Sequence, residues 1–439
     1  MVDAGYGIMK ILWFTNMPFP AMLGIEDRLH AASGGWMTAL LQSLSEEPQA
    51  EICVACVAPR LAEAELVSDR GVRFHAISRG GLPQRLRLRN PDNNSRYLDA
   101  CVRLVERVRP DIIHVHGSER LYGLLGARSL VSAPVVVSLQ GLLHDYARWR
   151  HYFGVAPLRD ILADQCRLNL LQGRGSLVEY WKFLGSARRE MRILEGNRYF
   201  MGRTIWDRAH IEAVNPRSRY FHVNEILRPA FYRRQWSVQS CRRHRVLFTN
   251  ANTYRRGAEV LIDAVSILRR EFSDIQLALA GGIERSSYGK RLLRRISERG
   301  LLQSVEFLGC LNEDQMSDAL CTAHAFVIPS LIENSPNSLC EAQLIGVPCV
   351  ASYVGGIPTL VEEGRTGLLF PPGDAPVLAD RLKTIFRDDR LGESLATQAR
   401  ETARRRHDPK SVTRTVLETY ELIINDAAST TRRSGNIRS

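Results

Sequence analysis

Lysine is almost missing from this 439-residue chain: of 59 basic residues only Lys10, Lys182, Lys290, Lys383 and Lys410 are lysines, and all the others are arginine. Long apolar runs are absent too. Nothing approaches the ~18 consecutive apolar residues of a membrane span, and the opening stretch to Thr15 carries Asp3 and is broken by Lys10, so no spanning helix is expected. No Asp-x-Asp occurs, which removes the simplest acidic pair for a divalent metal. The nine cysteines are odd in number and widely scattered, which excludes a disulfide scaffold. With no secretory leader read in the sequence, reduced thiols in a cytoplasmic protein are expected. Cys53 and Cys56 have the spacing of metal ligands. They sit inside the apolar run Ile52 to Val57 with no second close pair, so a buried strand is expected instead.

What is present is an ordinary globular composition, 45% hydrophobic and 24% charged, in a chain too long for one core. Two domains of about 200 residues each are expected. The formal charge of +12, carried almost wholly by arginine, points to an anionic partner, because the planar guanidinium fork suits phosphates and carboxylates. The arginines are spread along the whole length without a nucleic-acid motif, so nucleic acid is not the expected partner.

Strand and helix alternate along the chain. Ile8–Thr15, Ile52–Ala58, Val72–Ile77, Asp111–His116 and Pro134–Leu139 read as strands, with helices at Trp36–Leu44, Ser95–Val108 and Leu121–Leu130. This pattern implies a parallel sheet covered on both faces. Residues 142–196 turn helical and rich in arginine and aromatics, and read as an insertion; strands return at Arg198–Met201 and Tyr220–Val223. A first domain over 1–225, an irregular linker over 226–245 and a second domain over 246–406 follow. The second series has strands at Val246–Thr249, Ile275–Ala280, Val305–Leu308, Ala325–Ile328 and Val347–Ser352. A helix over 407–427 is expected to pack back on the first domain, and 428–439 to be a disordered tail. Ligands of such doubly wound sheets sit beyond the carboxyl ends of the strands, so two facing sheets make a deep cleft.

The segment from Pro329 to Pro348 leaves a strand, makes a polar turn and opens a helix near Asn337, whose amides face where an anion could sit. Glu333 lies in the turn and Glu341 eight residues later on the helix, where a carboxylate can accept from two vicinal hydroxyls. A capping arrangement, with Ser335 or Asn337 as N-cap, is the alternative reading.

This segment resembles the Glu-x7-Glu signature of the family-4 retaining glycosyltransferases of the GT-B fold. Ile328-Pro-Ser330, Gly346-Val-Pro-Cys-Val-Ala351, Gly355-Gly356 and Gly364-Arg-Thr-Gly-Leu-Leu-Phe370 extend the likeness over most of 246–406. The resemblance implies two Rossmann-like domains facing across a cleft. It implies that Glu333 contacts the donor sugar, that the turn amides around Ser335, Asn337 and Ser338 hold the sugar or diphosphate, and that Glu341 grips the ribose. Tyr254-Arg-Arg-Gly257 resembles the family's basic-residue-then-glycine motif, with Arg256 in the lysine's place and Arg255 beside it. The Gly-Arg pair of the family, some five or six residues upstream, is replaced by Asn250-Ala251.

In the first half, Gly34-Gly35 resembles the glycine loop that approaches the donor phosphate. Asp111-Ile-Ile-His-Val-His-Gly117 resembles a first-domain motif in which His114 reads as structural and His116 as either structural or catalytic. Gln140 stands where many members carry a histidine; it cannot take a proton, and His144 is the candidate replacement on the acceptor side. The resemblance implies a retaining, same-face transfer of a sugar from a nucleotide-diphosphate sugar to a glycan or lipid-linked acceptor in polysaccharide or glycoconjugate biosynthesis. No resident cofactor or metal is expected. Ten arginines between Arg70 and Pro110, against Asp92, Asp99 and Glu106, read either as a surface for the inner, anionic face of a membrane or as a solvated basic face. A sugar-nucleotide epimerase of the same fold and a non-catalytic sugar- or nucleotide-binding protein are the alternatives.

Overall fold

The computed structural model of the chain describes residues 8–19, 35–58, 64–67, 71–78, 95–154, 158–163, 175–281 and 287–436. Gly34 and five of the ten arginines of the arginine-rich stretch, Arg70, Arg79, Arg85, Arg87 and Arg89, lie outside them.

The first half forms one eight-stranded sheet: β1 (Met9–Thr15), β2 (Ala50–Ala58), β3 (Ala64–Val67), β4 (Arg73–Ser78), β5 (Ile112–His116), β6 (Val135–Ser138), β7 (Tyr199–Gly202) and β8 (Arg219–His222). Their spatial order is β3-β4-β2-β1-β5-β6-β7-β8, parallel throughout except that β3 runs antiparallel to β4. The second half forms β9 (Arg245–Thr249), β10 (Gln276–Ala280), β11 (Val305–Gly309), β12 (Ala325–Ile328), β13 (Cys349–Ser352) and β14 (Leu368–Phe370), all parallel in the order β11-β10-β9-β12-β13-β14. Both sheets follow from the apolar runs. A parallel strand covered on both faces needs side chains that bury in either direction, and every residue of β5, β9, β12 and β13 is buried. Cys53 and Cys56 are buried side chains of β2, as the strand reading expected.

β3 and β14 are not among the strands expected from the sequence. β3 is a four-residue edge strand and β14 a three-residue one, both too short to show a period. Strand order reverses in each sheet at its central pair, between β1 and β5 and between β9 and β12. The crevices beyond those carboxyl ends are where ligands of doubly wound folds bind.

The C-terminal helix, Pro409–Asn436, runs back onto the first half. Tyr420 accepts from Trp13 Nε1 at 3.1 Å and lies 2.5 Å from His114 Nδ1, while Asp426 meets Arg198 at 2.9 Å and Arg219 at 2.7 Å. Residues 428–436, expected to be disordered, continue this helix.

Buried hydrogen bonds also join the two halves directly. The helix Ile205–Val214 opens with a capping box in which Thr204 accepts from the Asp207 amide and Asp207 accepts from that of Thr204. The same two side chains reach across the gap: Thr204 Oγ1 donates to Asn334 Oδ1 at 2.7 Å, and Asn334 Nδ2 donates to Asp207 Oδ2 at 3.0 Å. Asn334 is the neighbour of Glu333, so the capping of one helix fixes the turn that carries the first glutamate.

Candidate functional site

Between the sheets lies a cleft of about 480 Å³, inside the ~300–1,000 Å³ range of small-molecule sites. Its wall from the second half is the turn after β12 and the helix Asn337–Ile345, and it presents Glu333, Ser335, Asn337, Ser338 and Glu341. Two glycines shape that wall. Gly355 has φ +50°, and a Cβ there would stand 2.0 Å from the Glu333 carbonyl oxygen, which also accepts from the Gly356 amide at 3.0 Å. Gly257 has φ +70°, and a Cβ there would stand 2.0 Å from the Pro329 carbonyl oxygen. Only glycine lets the arginine turn close on the glutamate turn.

Pro336, not Ser335 or Asn337, is the N-cap of the helix Asn337–Ile345, and no side chain caps it. The Leu339 and Cys340 amides turn back to the Pro336 carbonyl. The earlier first-turn amides, next to the cleft, are left for a ligand, and the helix dipole favours an anionic one.

Both glutamates carry arginine partners inside the cleft. Arg256 Nη1 donates to Glu333 Oε2. Arg228 makes a fork to Glu341, Nε to Oε1 and Nη2 to Oε2, each at 2.8 Å. Burial pushes the Glu341 carboxyl upward, and the Arg228 guanidinium opposes that push. Arg228 was not among the sequence candidates: it lies in the stretch read as linker, before Pro229, and no motif marks it.

Asn250 holds φ +61° on the cleft wall, a left-handed conformation that asparagine tolerates. Ala251, next to it, is buried. Asn250-Ala251 offers no cation at this point of the wall.

The first half contributes Gly35, Trp36 and Gln140 to the lining. Gln140 Nε2 donates to Glu225 Oε1 and its Oε1 accepts from Arg203 Nη2, each at 3.3 Å. Arg203, buried and ion-paired with Glu225, also reaches Asn337 Oδ1 at 3.4 Å. Gln140 is thus a fixed amide in a network that spans the halves, and that network too was invisible in the sequence.

Three candidates are corrected by their positions. His116 lies off the cleft lining, beside a cavity of about 20 Å³ behind Trp36. It stacks on His114 at 3.9 Å and meets Trp13 edge-on at 4.3 Å. Among the described residues neither of its ring nitrogens has a hydrogen-bond partner, and burial, with His114 adding to it, holds its pKa well below the ordinary value. A neutral ring without a polar partner is packing, not acid or base. His114 is the satisfied structural histidine expected, bonded to Tyr420 and to Ser138 at 2.6 Å. His144 is turned to Glu190, with its Nδ1 3.0 Å from Oε2, and to His210, away from the cleft lining. Arg255 stands over the Tyr146 ring at 5.6 Å and is likewise not part of the lining.

Two family models match the chain. Residues 37–166 match a glycosyl transferase 4-like domain and residues 243–388 match glycosyl transferases group 1. The chain belongs to the family-4, GT-B glycosyltransferases. It is 31% identical over 170 residues to a phosphatidyl-myo-inositol mannosyltransferase from Mycobacterium leprae, covering 38% of this chain and 44% of that protein. It is 29% identical over 178 residues to the putative colanic acid biosynthesis glycosyltransferase WcaL from Salmonella typhimurium, covering 39% of this chain and 43% of that one. These matches span less than half the length of the curated relatives.

Among solved structures, sucrose-phosphate synthase from Thermosynechococcus elongatus superposes with a TM-score of 0.71 at 18% identity, covering 95% of this chain and all of that one. HepE from Anabaena, in complex with UDP and glucose, gives 0.67 at 16% identity, covering 94% of this chain and 99% of that one. These likenesses show the GT-B fold.

Proposed function

We propose that this glycosyltransferase moves a sugar, with retention of configuration, from a nucleotide-diphosphate sugar to a glycan or lipid-linked acceptor in polysaccharide or glycoconjugate biosynthesis. The observation that carries the reading is the cleft wall itself: two glutamates eight residues apart, an uncapped helix start and Arg256 converge on one space. HepE holds UDP and glucose in a structure of the same fold, which supports a nucleotide sugar as the donor. Glu333 binds the sugar hydroxyls, Glu341 the ribose diol, and Arg256 with the helix amides the diphosphate.

The chemistry follows from that placement. Negative charge grows on the departing diphosphate as the glycosidic bond breaks, and a fixed guanidinium and oriented amides stabilise it more than they stabilise the ground state. The diphosphate oxygen on the face the donor leaves takes the acceptor proton. No protein nucleophile is used, which agrees with the neutral, buried His116. With arginine supplying the charge, transfer is expected to be independent of divalent metal, and activity that falls on adding EDTA counts against this.

The acceptor enters from the first half, and the enzyme works in the cytoplasm against the inner face of a membrane. Exposed Trp149 and Trp181 on the inserted helices, in a chain of charge +12, support that placement. The test is a panel of UDP-, GDP- and ADP-sugars with glycan and lipid acceptors, reading sugar transfer and product anomer. One donor giving product of unchanged anomeric configuration is expected. Donor epimerised without acceptor points to an epimerase, and binding without turnover of any donor to a non-catalytic protein.

A further inference from the structure

Arg228 is the cation on the cleft wall that no motif accounts for. It sits in the connection between the halves, immediately before the helix Pro229–Arg233, with its guanidinium 4.7 Å from the Phe231 ring centre. Its stem lies against the first half: a Cβ on Gly35 would stand 2.6 Å from Arg228 Cδ and 2.7 Å from Cγ. Its head lies against the second half, in the fork to Glu341. One side chain therefore crosses the cleft between the glycine that opens the helix Gly35–Ser45 and the glutamate assigned to the ribose.

We propose that Arg228 is a donor-binding residue that supplies the second cation to the diphosphate, replacing the one that Asn250-Ala251 cannot offer. This rests on the transferase reading above. A guanidinium has five N–H donors arranged on two bidentate edges. Glu341 takes the edge formed by Nε and Nη2, which fixes the plane of the group and leaves the edge formed by Nη1 and Nη2 free for another oxyanion. Among the described residues no hydrogen bond uses Nη1. Arg256, Gly35 and the start of the helix Asn337–Ile345 line the same cleft, so a diphosphate there meets cations from two sides. Because Gly35 leaves no room for a side chain, the glycine serves to seat Arg228 as well as to admit the phosphate. Glu341 accordingly has two tasks, holding the ribose and aiming Arg228.

The test is calorimetric titration of the full chain with UDP, GDP and ADP and the matching monophosphates, comparing wild type, Arg228→Gln and Arg228→Lys. The readout is the ratio of diphosphate to monophosphate affinity for whichever base binds, which a merely structural loss would not move. Wild type is expected to prefer the diphosphate. Arg228→Gln should lower that preference at least about tenfold, and Arg228→Lys, which keeps the charge but loses the fork, by less. An unchanged preference in Arg228→Gln overturns the role of Arg228 and leaves the transferase reading standing. If Arg228→Gln does not fold, an unchanged preference in Arg228→Lys does the same. A wild type that binds none of the three diphosphates overturns the transferase reading and this proposal together.

Discussion

On the second-half wall of the cleft both carboxylates are met by arginines, Glu333 by Arg256 and Glu341 by Arg228. In the first half, the histidines at the end of β5 are kept neutral among Trp13, Trp36 and Tyr420, and Gln140 replaces a titratable group. One side of the cleft lining is an array of fixed charges, and the other, formed by Gly35, Trp36 and Gln140, is unable to exchange protons. Under the proposed transfer the difference separates the tasks: the side that would stabilise a departing anion holds the cations, and the side that would admit a neutral hydroxyl holds an amide and a ring. In that proposal the acceptor proton goes to the substrate's own diphosphate.

The largest break in that contrast comes from removing a charge on the second-half wall. Arg256→Ala should lower turnover on the order of 100-fold, the size of effect seen when one group stabilising transition-state charge is lost. Steady-state kinetics with the identified donor check this, and a change under about threefold contradicts the role of Arg256.

A titratable group in the first half sharpens the contrast next. Glu119, just past β5, accepts from Asn16 Nδ2 at 2.6 Å, and burial, more than its neighbour Glu190, pushes its pKa up to about 7. A folded pKa above the ordinary carboxyl value means that its contribution to stability is full below about pH 4.5 and is lost as pH rises through about 7. Glu119→Gln should therefore match wild type near pH 4.5 and be more stable by about 3 kcal/mol at pH 8. Urea unfolding at the two pH values measures it, and equal stability at pH 8 contradicts the shift.

The smallest effect is expected at His116. His116→Phe replaces a neutral stacked ring by another of similar shape, so turnover should change by less than about twofold. A loss of 100-fold would return a proton-transfer role to the first half.

Much of this was legible in the sequence, for particular reasons. β5, β9 and β12 announced themselves because a fully buried parallel strand must be apolar along its length. The glutamate turn announced itself because one continuous segment carries the strand exit, both acids and the helix start. The missed features are those made by residues far apart in the chain. Arg228 meets Glu341 across 113 positions, and Arg203 meets Asn337 across 134. Thr204 and Asp207 show locally as a capping pair, and only the fold reveals that they also hold Asn334. His116 and His144 were over-read because residue type shows chemical capacity but not burial or partner. The arginine-rich end of the chain suggests a disordered tail, although to Asn436 it extends a helix anchored upstream by Tyr420 and Asp426.

The central claim is that the turn and helix bearing the two glutamates receive an activated sugar. The most direct measurement is release of nucleoside diphosphate from the panel of donor sugars by wild type and by Glu333→Gln at equal folded concentration. The prediction is turnover of one donor by wild type and a loss of at least about 100-fold in Glu333→Gln, with affinity for the free diphosphate nearly unchanged. Equal turnover by the two proteins would contradict it.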